Sequence, residues 1–237
     1  MTQETYNVFK SADIRRELYQ YCKRVTEYLH KHKVPSLVLL DRAARPLAAG
    51  VRECWINTYA DQPVPHMYFV NPYGFKTAKD LTKVDILKQI VPGITGEDPP
   101  PLPDATRTQE DIQKEFVKSY PQLLHDKSKP VLLFDSCIHS GGTLLPVKNI
   151  LRQLGFTDVR VGAVEDAPSS ASMSLDLFMR EEGDQPAGEC HPFGHDKLVK
   201  KTYNKVHSDR NTDPTAIIRA KQLREEIKHI VRNKGRT

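Results

Sequence analysis

The chain has 237 residues, 38% of them hydrophobic, and a formal net charge of +5. That length suits one α/β domain with elaborations. No apolar run approaches the ~20 residues of a membrane span, which sets aside integral membrane classes. Cys22, Cys54, Cys137 and Cys190 are scattered without paired spacing, so reduced thiols in a cytoplasmic protein are a simpler reading than a disulfide scaffold. The start, Met1 to Ser11, is polar and carries no apolar signal region.

The charge is unevenly placed. From Lys197 to the end there are 12 Lys/Arg against 4 Asp/Glu, a net of +8, and the remainder has 23 against 26, a net of −3. A basic tail on a near-neutral domain can meet nucleic acid, an acidic protein face or a polyanionic small ligand. A solvated helix face is the plainer alternative.

In chain order, Ser11 to His32 predicts a helix, with Ile14, Leu18, Cys22, Val25 and Leu29 forming one apolar stripe. Ser36 to Leu40 is a short continuous apolar run that fits a buried parallel strand. Asp41-Arg42-Ala43-Ala44-Arg45 is then a tight loop, and Pro46 opens a helix with Leu47, Val51, Cys54 and Trp55 on its apolar face. His66 to Val70 is the next strand. Asn71 to Thr108 is rich in proline and glycine, with helical periodicity only over Asp80 to Val91, and reads as a lid or a rigid elaboration. Lys76, Lys79, Lys83 and Arg107 are its candidate cations.

A second amphipathic helix is predicted over Gln109 to Leu124. Val131 to Phe134 is a buried strand with Asp135 at its end, followed by a Gly-containing loop and a helix over Leu144 to Leu154 that Gly155 stops. Val159 to Val164 is a further strand, and Ser169 to Glu182 is read as a helix. Asp213 caps the last helix, whose Ala216, Ala220, Leu223, Ile227 and Ile230 make an apolar seam too short for a free coiled coil. Strand–helix alternation predicts an α/β fold, a mostly parallel sheet with helices on both faces. Ligands in such sheets bind at the carboxyl ends of strands, which sets the loops Asp41 to Arg45, Asp135 to Thr143 and Glu165-Asp166 along one edge. Residues 1–182 read as the α/β domain, and 183–237 as a hood-like loop and basic helix packed on it.

The chemistry concentrates in Asp135-Ser136-Cys137-Ile138-His139-Ser140-Gly141-Gly142-Thr143. A turn of this kind ahead of a helix aims backbone N–H groups and the positive end of the helix dipole at one point. The Ser140 and Thr143 hydroxyls flank glycines that let a ligand approach the backbone. This is an anion cradle beside a carboxylate, and the bland alternative is an ordinary strand–turn–helix.

Val131 to Thr143 resembles the phosphoribosyl-diphosphate (PRPP) motif of type I phosphoribosyltransferases: an apolar strand, two acids, two apolar residues, then Asp-Thr-Gly-x-Thr. Asp135 matches the first acid, Cys137-Ile138 the apolar pair and Ser140 to Thr143 the phosphate loop. Ser136 replaces the second acid, and His139 replaces the Asp that opens the loop. The resemblance implies a fold of that type and transfer of the 5-phosphoribosyl group from PRPP to a nitrogenous base with release of pyrophosphate. It assigns Asp135 to the ribose hydroxyls and, through them or water, to Mg²⁺. Ser136 and Ser140, Gly141, Gly142 and Thr143 go to PRPP and its phosphate. Beside a phosphate a protonated His139 suits a phosphate contact or a general acid; the resemblance implies a place near the base nitrogen, where it would accept a proton, and a solvent-facing side chain is the plainer alternative. Arg42, Ala43, Ala44 and Arg45 occupy the position of the pyrophosphate loop, with a homodimer expected. The two departures also admit a non-catalytic sensor of PRPP or a nucleotide that touches nucleic acid through its basic C-terminus.

Other signatures are weaker. Cys190, His191 and His195 have metal-ligand chemistry but lack a fourth ligand in pattern, so their segment reads better as a base-recognition hood. Tyr68, Tyr73 and Phe75 suit base stacking or core packing. The Gly-x4-Gly-Lys phosphate loop and the Gly-x-Ser-x-Gly elbow are both absent.

Overall fold

A computed structural model describes residues 6–40, 44–70, 109–138, 144–166, 175–178 and 214–235. The expected stripe folds as α1 (Ala12–Lys31), with Leu18, Cys22, Val25 and Leu29 fully buried. It ends where Lys33 takes a left-handed φ of 52° and the Val34 N–H reaches back to the Leu29 carbonyl, a closing turn normally made with glycine. Then come β1 (Ser36–Leu40), α2 (Arg45–Thr58, with Pro46 in its first turn) and β2 (His66–Val70). α3 (Gln109–Ser119) leads through a 3-10 turn (Gln122–His125) to β3 (Val131–Ile138) and α4 (Leu144–Gln153). β4 (Val159–Asp166), the two-residue β5 (Leu177–Phe178) and α5 (Pro214–Arg232) follow. Gly155, at φ 97°, closes α4 through Phe156 N–H to Leu151 and Gly155 N–H to Arg152, as its position predicts.

All four strand pairings are parallel, in the order β2-β1-β3-β4-β5. From β1 the chain steps one way to β2, then reverses past β1 to β3 and continues to β4. Right-handed crossovers put the connecting helices of opposite steps on opposite faces, and the core divides that way. Leu37, Leu39, Leu132, Phe134 and Val164 pack under α1, α2 and α5, while Val38, Leu40, Leu133, Val161 and Ala163 pack under α3, the 3-10 turn and α4. The fold is therefore α/β, with a parallel sheet between two helical layers, as the strand–helix alternation predicts.

The layer of α1, α2 and α5 is tightly closed. Gly50 on α2 lies so near α1 that a Cβ there would meet the Cys22 Sγ at 2.2 Å and the Ile227 Cγ2 of α5 at 3.2 Å. The seam residues Leu223, Ile227 and Ile230 are buried in this layer. Both chain ends are tied into it. The Glu226 carboxylate accepts the N–H groups of Asn7 (2.9 Å), Val8 (3.0 Å) and Phe9 (3.1 Å). Arg15 donates to the Phe9 and Lys10 carbonyls and stacks on Tyr6, and Arg232 donates to Glu53 at 2.6 Å. Buried Cys22 and Cys54 are free thiols.

Four local expectations change. The helix read over Gln109 to Leu124 stops at Ser119, because Pro121 has no N–H to continue it and disfavours helical geometry at Tyr120. The strand read as ending at Asp135 continues to Ile138, held by pairing of Asp135 with Ala163, Cys137 with Glu165 and Ile138 with Asp166. β4 accordingly includes Glu165 and Asp166, which sequence alone places in a loop. Within the helix read over Ser169 to Glu182, Leu177 and Phe178 instead pair with Gly162 and Ala163 on the edge of β4. The Asp176 N–H donates to the Val161 carbonyl and its carboxylate accepts the Val161 N–H. The helix over Asp80 to Val91 and the segment Gly183 to Asp213 lie outside the described residues.

Candidate functional site

In an open parallel sheet, ligands bind outside the carboxyl ends of the strands, where the direction of winding reverses. Here that point lies between β1 and β3, which pair Leu39 with Phe134 near their ends. The chain leaves β1 at Leu40 and enters α2 at Arg45; it leaves β3 at Ile138 and enters α4 at Leu144. Each helix runs back against its strand, so α2 and α4 both open at this edge, on opposite faces of the sheet. Two helix N-termini, each the positive end of a helix dipole, thus stand at one reversal point, a setting for negative charge on either side.

Asp135 lies on β3 directly after the buried Phe134, three residues before the strand's end. Period-two alternation puts it on the α4 face with Val131 and Leu133. Its side chain is half-buried, in contrast to the fully buried Val131–Phe134 run before it. Ser136 follows within the same strand. On β4 the register sets Glu165 and Asp166 beside Cys137 and Ile138, so three acidic positions occur over the last turns of two adjacent strands. Sequence alone sets Glu165-Asp166 along the same carboxyl edge as a loop; the register puts both inside β4, beside the end of β3.

Of the residues assigned to the pyrophosphate loop, Arg45 is the first residue of α2, and Ala44 precedes it. Ala44 is fully buried in the core with Leu47, and its carbonyl accepts the Ala48 N–H that starts the helix. Packing therefore accounts for its small size. Arg42, Ala43, His139, Ser140, Gly141, Gly142 and Thr143 lie outside the described residues, as do the lid cations, Tyr73, Phe75 and the Cys190–His195 segment. Tyr68 is a packing residue: its ring meets Tyr120 edge-on at 5.8 Å on the α3 face, and burial pushes its hydroxyl pKa up. Among the described residues no group of three or more His, Cys, Asp and Glu could hold a metal, and no helix is long and apolar enough to cross a membrane.

No protein-family model and no curated protein matches the chain. Among solved structures, it is similar to a purine phosphoribosyltransferase from Pyrococcus horikoshii, at 16% identity over 68% of this chain and 80% of that one, with a TM-score of 0.38. A hypoxanthine phosphoribosyltransferase from Staphylococcus aureus aligns at 12% identity over 78% and 85%, with a TM-score of 0.40. One from Trypanosoma cruzi aligns at 13% identity over 88% and 91%, also at 0.40. At such identities and TM-scores these overlaps carry no argument about chemistry; the parallel α/β architecture stands on the strand order and registers above.

Proposed function

We propose that the chain is a phosphoribosyltransferase-type enzyme that moves the 5-phosphoribosyl group of PRPP to a nitrogenous base and releases pyrophosphate. The observation that carries this reading is the pair of helix N-termini, of α2 and α4, at one reversal point of the sheet. PRPP carries its two anionic groups at opposite ends of a sugar, and the two helix starts suit one anion each. Ser140 to Thr143, immediately ahead of α4, take the 5-phosphate, with Ser136 beside it. Arg42 and Arg45, with Ala43, take the pyrophosphate at the start of α2, while the buried Ala44 anchors that loop in the core. Asp135, between them on β3, accepts hydrogen bonds from the ribose hydroxyls, and those to a carboxylate are the stronger kind. His139 serves as a phosphate contact or as a general acid in this reading.

Mg²⁺ fits this donor set. It is bound through one or two carboxylates, substrate oxygens and its own waters rather than by an all-protein cage. Asp135 would hold it indirectly, through the ribose hydroxyls or water. When bound, the ion neutralises negative charge that develops on the leaving pyrophosphate. The reading carries with it a cytoplasmic homodimer.

The test is release of pyrophosphate from PRPP and Mg²⁺ across a panel of purine and pyrimidine bases. One base should support turnover in the wild type, and Asp135→Asn should lower it by about 100-fold, the scale of losing one preorganised electrostatic contact. The second reading is a PRPP or nucleotide sensor, favoured by Ser136 and His139 standing where the resembled motif has acids. It predicts saturable, Asp135-dependent binding with no turnover on any base. A nucleic-acid role for the basic C-terminus adds a steep fall of affinity with salt.

A further inference from the structure

The strongest feature outside the carboxyl-end crevice is a groove of about 480 Å³ on the α2 side of the sheet, beside the edge strand β2. That volume is within the range of small-molecule sites. Val64, Met67 and Phe69 supply its apolar surface, and Ala48 and Ala49 on α2 leave the space open by their size. Three basic side chains border it from three elements: Arg52 of α2, His66 of β2 and Arg224 of α5. Among the described residues no carboxylate lines it.

The two arginines differ from others of the same helical layer. Arg15 is committed to the Phe9 and Lys10 carbonyls and Arg232 to Glu53, whereas Arg52 and Arg224 make no hydrogen bond or ion pair with another described residue. Both guanidinium groups line one largely apolar groove, and an anion held there matches their planar donor forks. Strand addition by a peptide fits β2 less well, because the Tyr120 hydroxyl already donates to the Phe69 carbonyl.

We infer that this groove binds a small organic anion, a phosphate or carboxylate joined to a flat apolar ring, with Arg52 and Arg224 clasping the anion and Met67 and Phe69 receiving the ring. The inference is independent of the proposed transferase site, since neither arginine belongs to the β1–β3 crevice.

Titration of the full chain with 1-naphthyl phosphate, followed by calorimetry, tests it, with inorganic phosphate and 2-naphthol as the two half-ligands. The expected result is saturable binding with Kd below about 1 mM, at least tenfold tighter than either half-ligand. Arg52→Ala and Arg224→Ala should each weaken it at least tenfold with unchanged thermal midpoints, since both side chains are exposed and make no hydrogen bond or ion pair with another described residue. Arg152→Ala, an exposed arginine on α4, should leave it unchanged. Failure to saturate overturns the inference, and so does binding that survives both arginine substitutions or that inorganic phosphate matches.

Discussion

On one face of the sheet, α1, α2 and α5 interlock at the contact of Gly50 with Cys22 and Ile227, and carboxylate and guanidinium clamps tie both chain ends into that layer. On the other face, α3 and α4 cover the sheet, and strand alternation puts Asp135 on that side. The division of labour is sharpest at two consecutive residues of β3. Phe134 is fully buried under the three-helix layer, and Asp135, on the opposite face, is half-buried near the crevice. Strand alternation thus lets one residue serve stability and its neighbour serve ligand binding with little interference.

Substitutions at the dense layer should cost stability and spare ligand binding. The largest effect is expected at Phe134. Phe134→Ala removes a fully buried ring, and urea unfolding should record a loss of about 3–5 kcal/mol. An equal loss from Asp135→Asn would break the comparison, since that change should shift the thermal midpoint by no more than about 2–4 °C.

Gly50→Ala comes next. Its methyl would stand 2.2 Å from a buried sulfur, so α1 and α2 must part or Cys22 must turn. Overpacking of this kind costs about 1–3 kcal/mol. Cys22→Ala in the same chain should recover part of that loss, and a double-mutant cycle measures the coupling. Independent, additive effects would place the strain elsewhere.

The smallest effect is a pH dependence. Burial pushes the Cys54 thiol pKa from its ordinary 9.0 up to about 12 and raises that of Cys22 as well. The fold therefore holds both thiols neutral while the unfolded chain ionises them near pH 9. Their contribution is complete below that pH and is lost as pH rises toward the folded values, at about 1.4 kcal/mol per pH unit per thiol. Urea midpoints at pH 8 and pH 10.5 should fall less in Cys54→Ala than in the wild type. An equal fall in both would assign the alkaline loss to other groups.

Features set by local pattern were legible in the sequence. The Leu18–Leu29 stripe, the Ser36–Leu40 and His66–Val70 strands and the Gly155 stop each follow from spacing or from one residue's backbone preference. What escaped depended on partners distant in the chain. Asp135 is interior to its strand because β4 pairs beyond it, and Leu177-Phe178 is a strand because the edge of β4 is there to receive it. The miss at Pro121 is different: its backbone rule is local and was available, and the helix read to Leu124 ran past it. For the crevice, order along the chain was enough to bring the β1 and β3 loops to one edge. It could not bring together Arg52, His66 and Arg224, which have no shared motif and meet only through packing of α2, β2 and α5.

The most direct measurement is calorimetric titration of PRPP, with and without Mg²⁺, into the wild type and Asp135→Asn. The account predicts Mg²⁺-dependent binding to the wild type. In Asp135→Asn it predicts a loss of about 10- to 100-fold, the 1.5–3 kcal/mol of hydrogen bonds to a charged group, with an unfolding midpoint close to that of the wild type. Absence of PRPP binding to the folded wild type, or equal affinity in the two proteins, would contradict it.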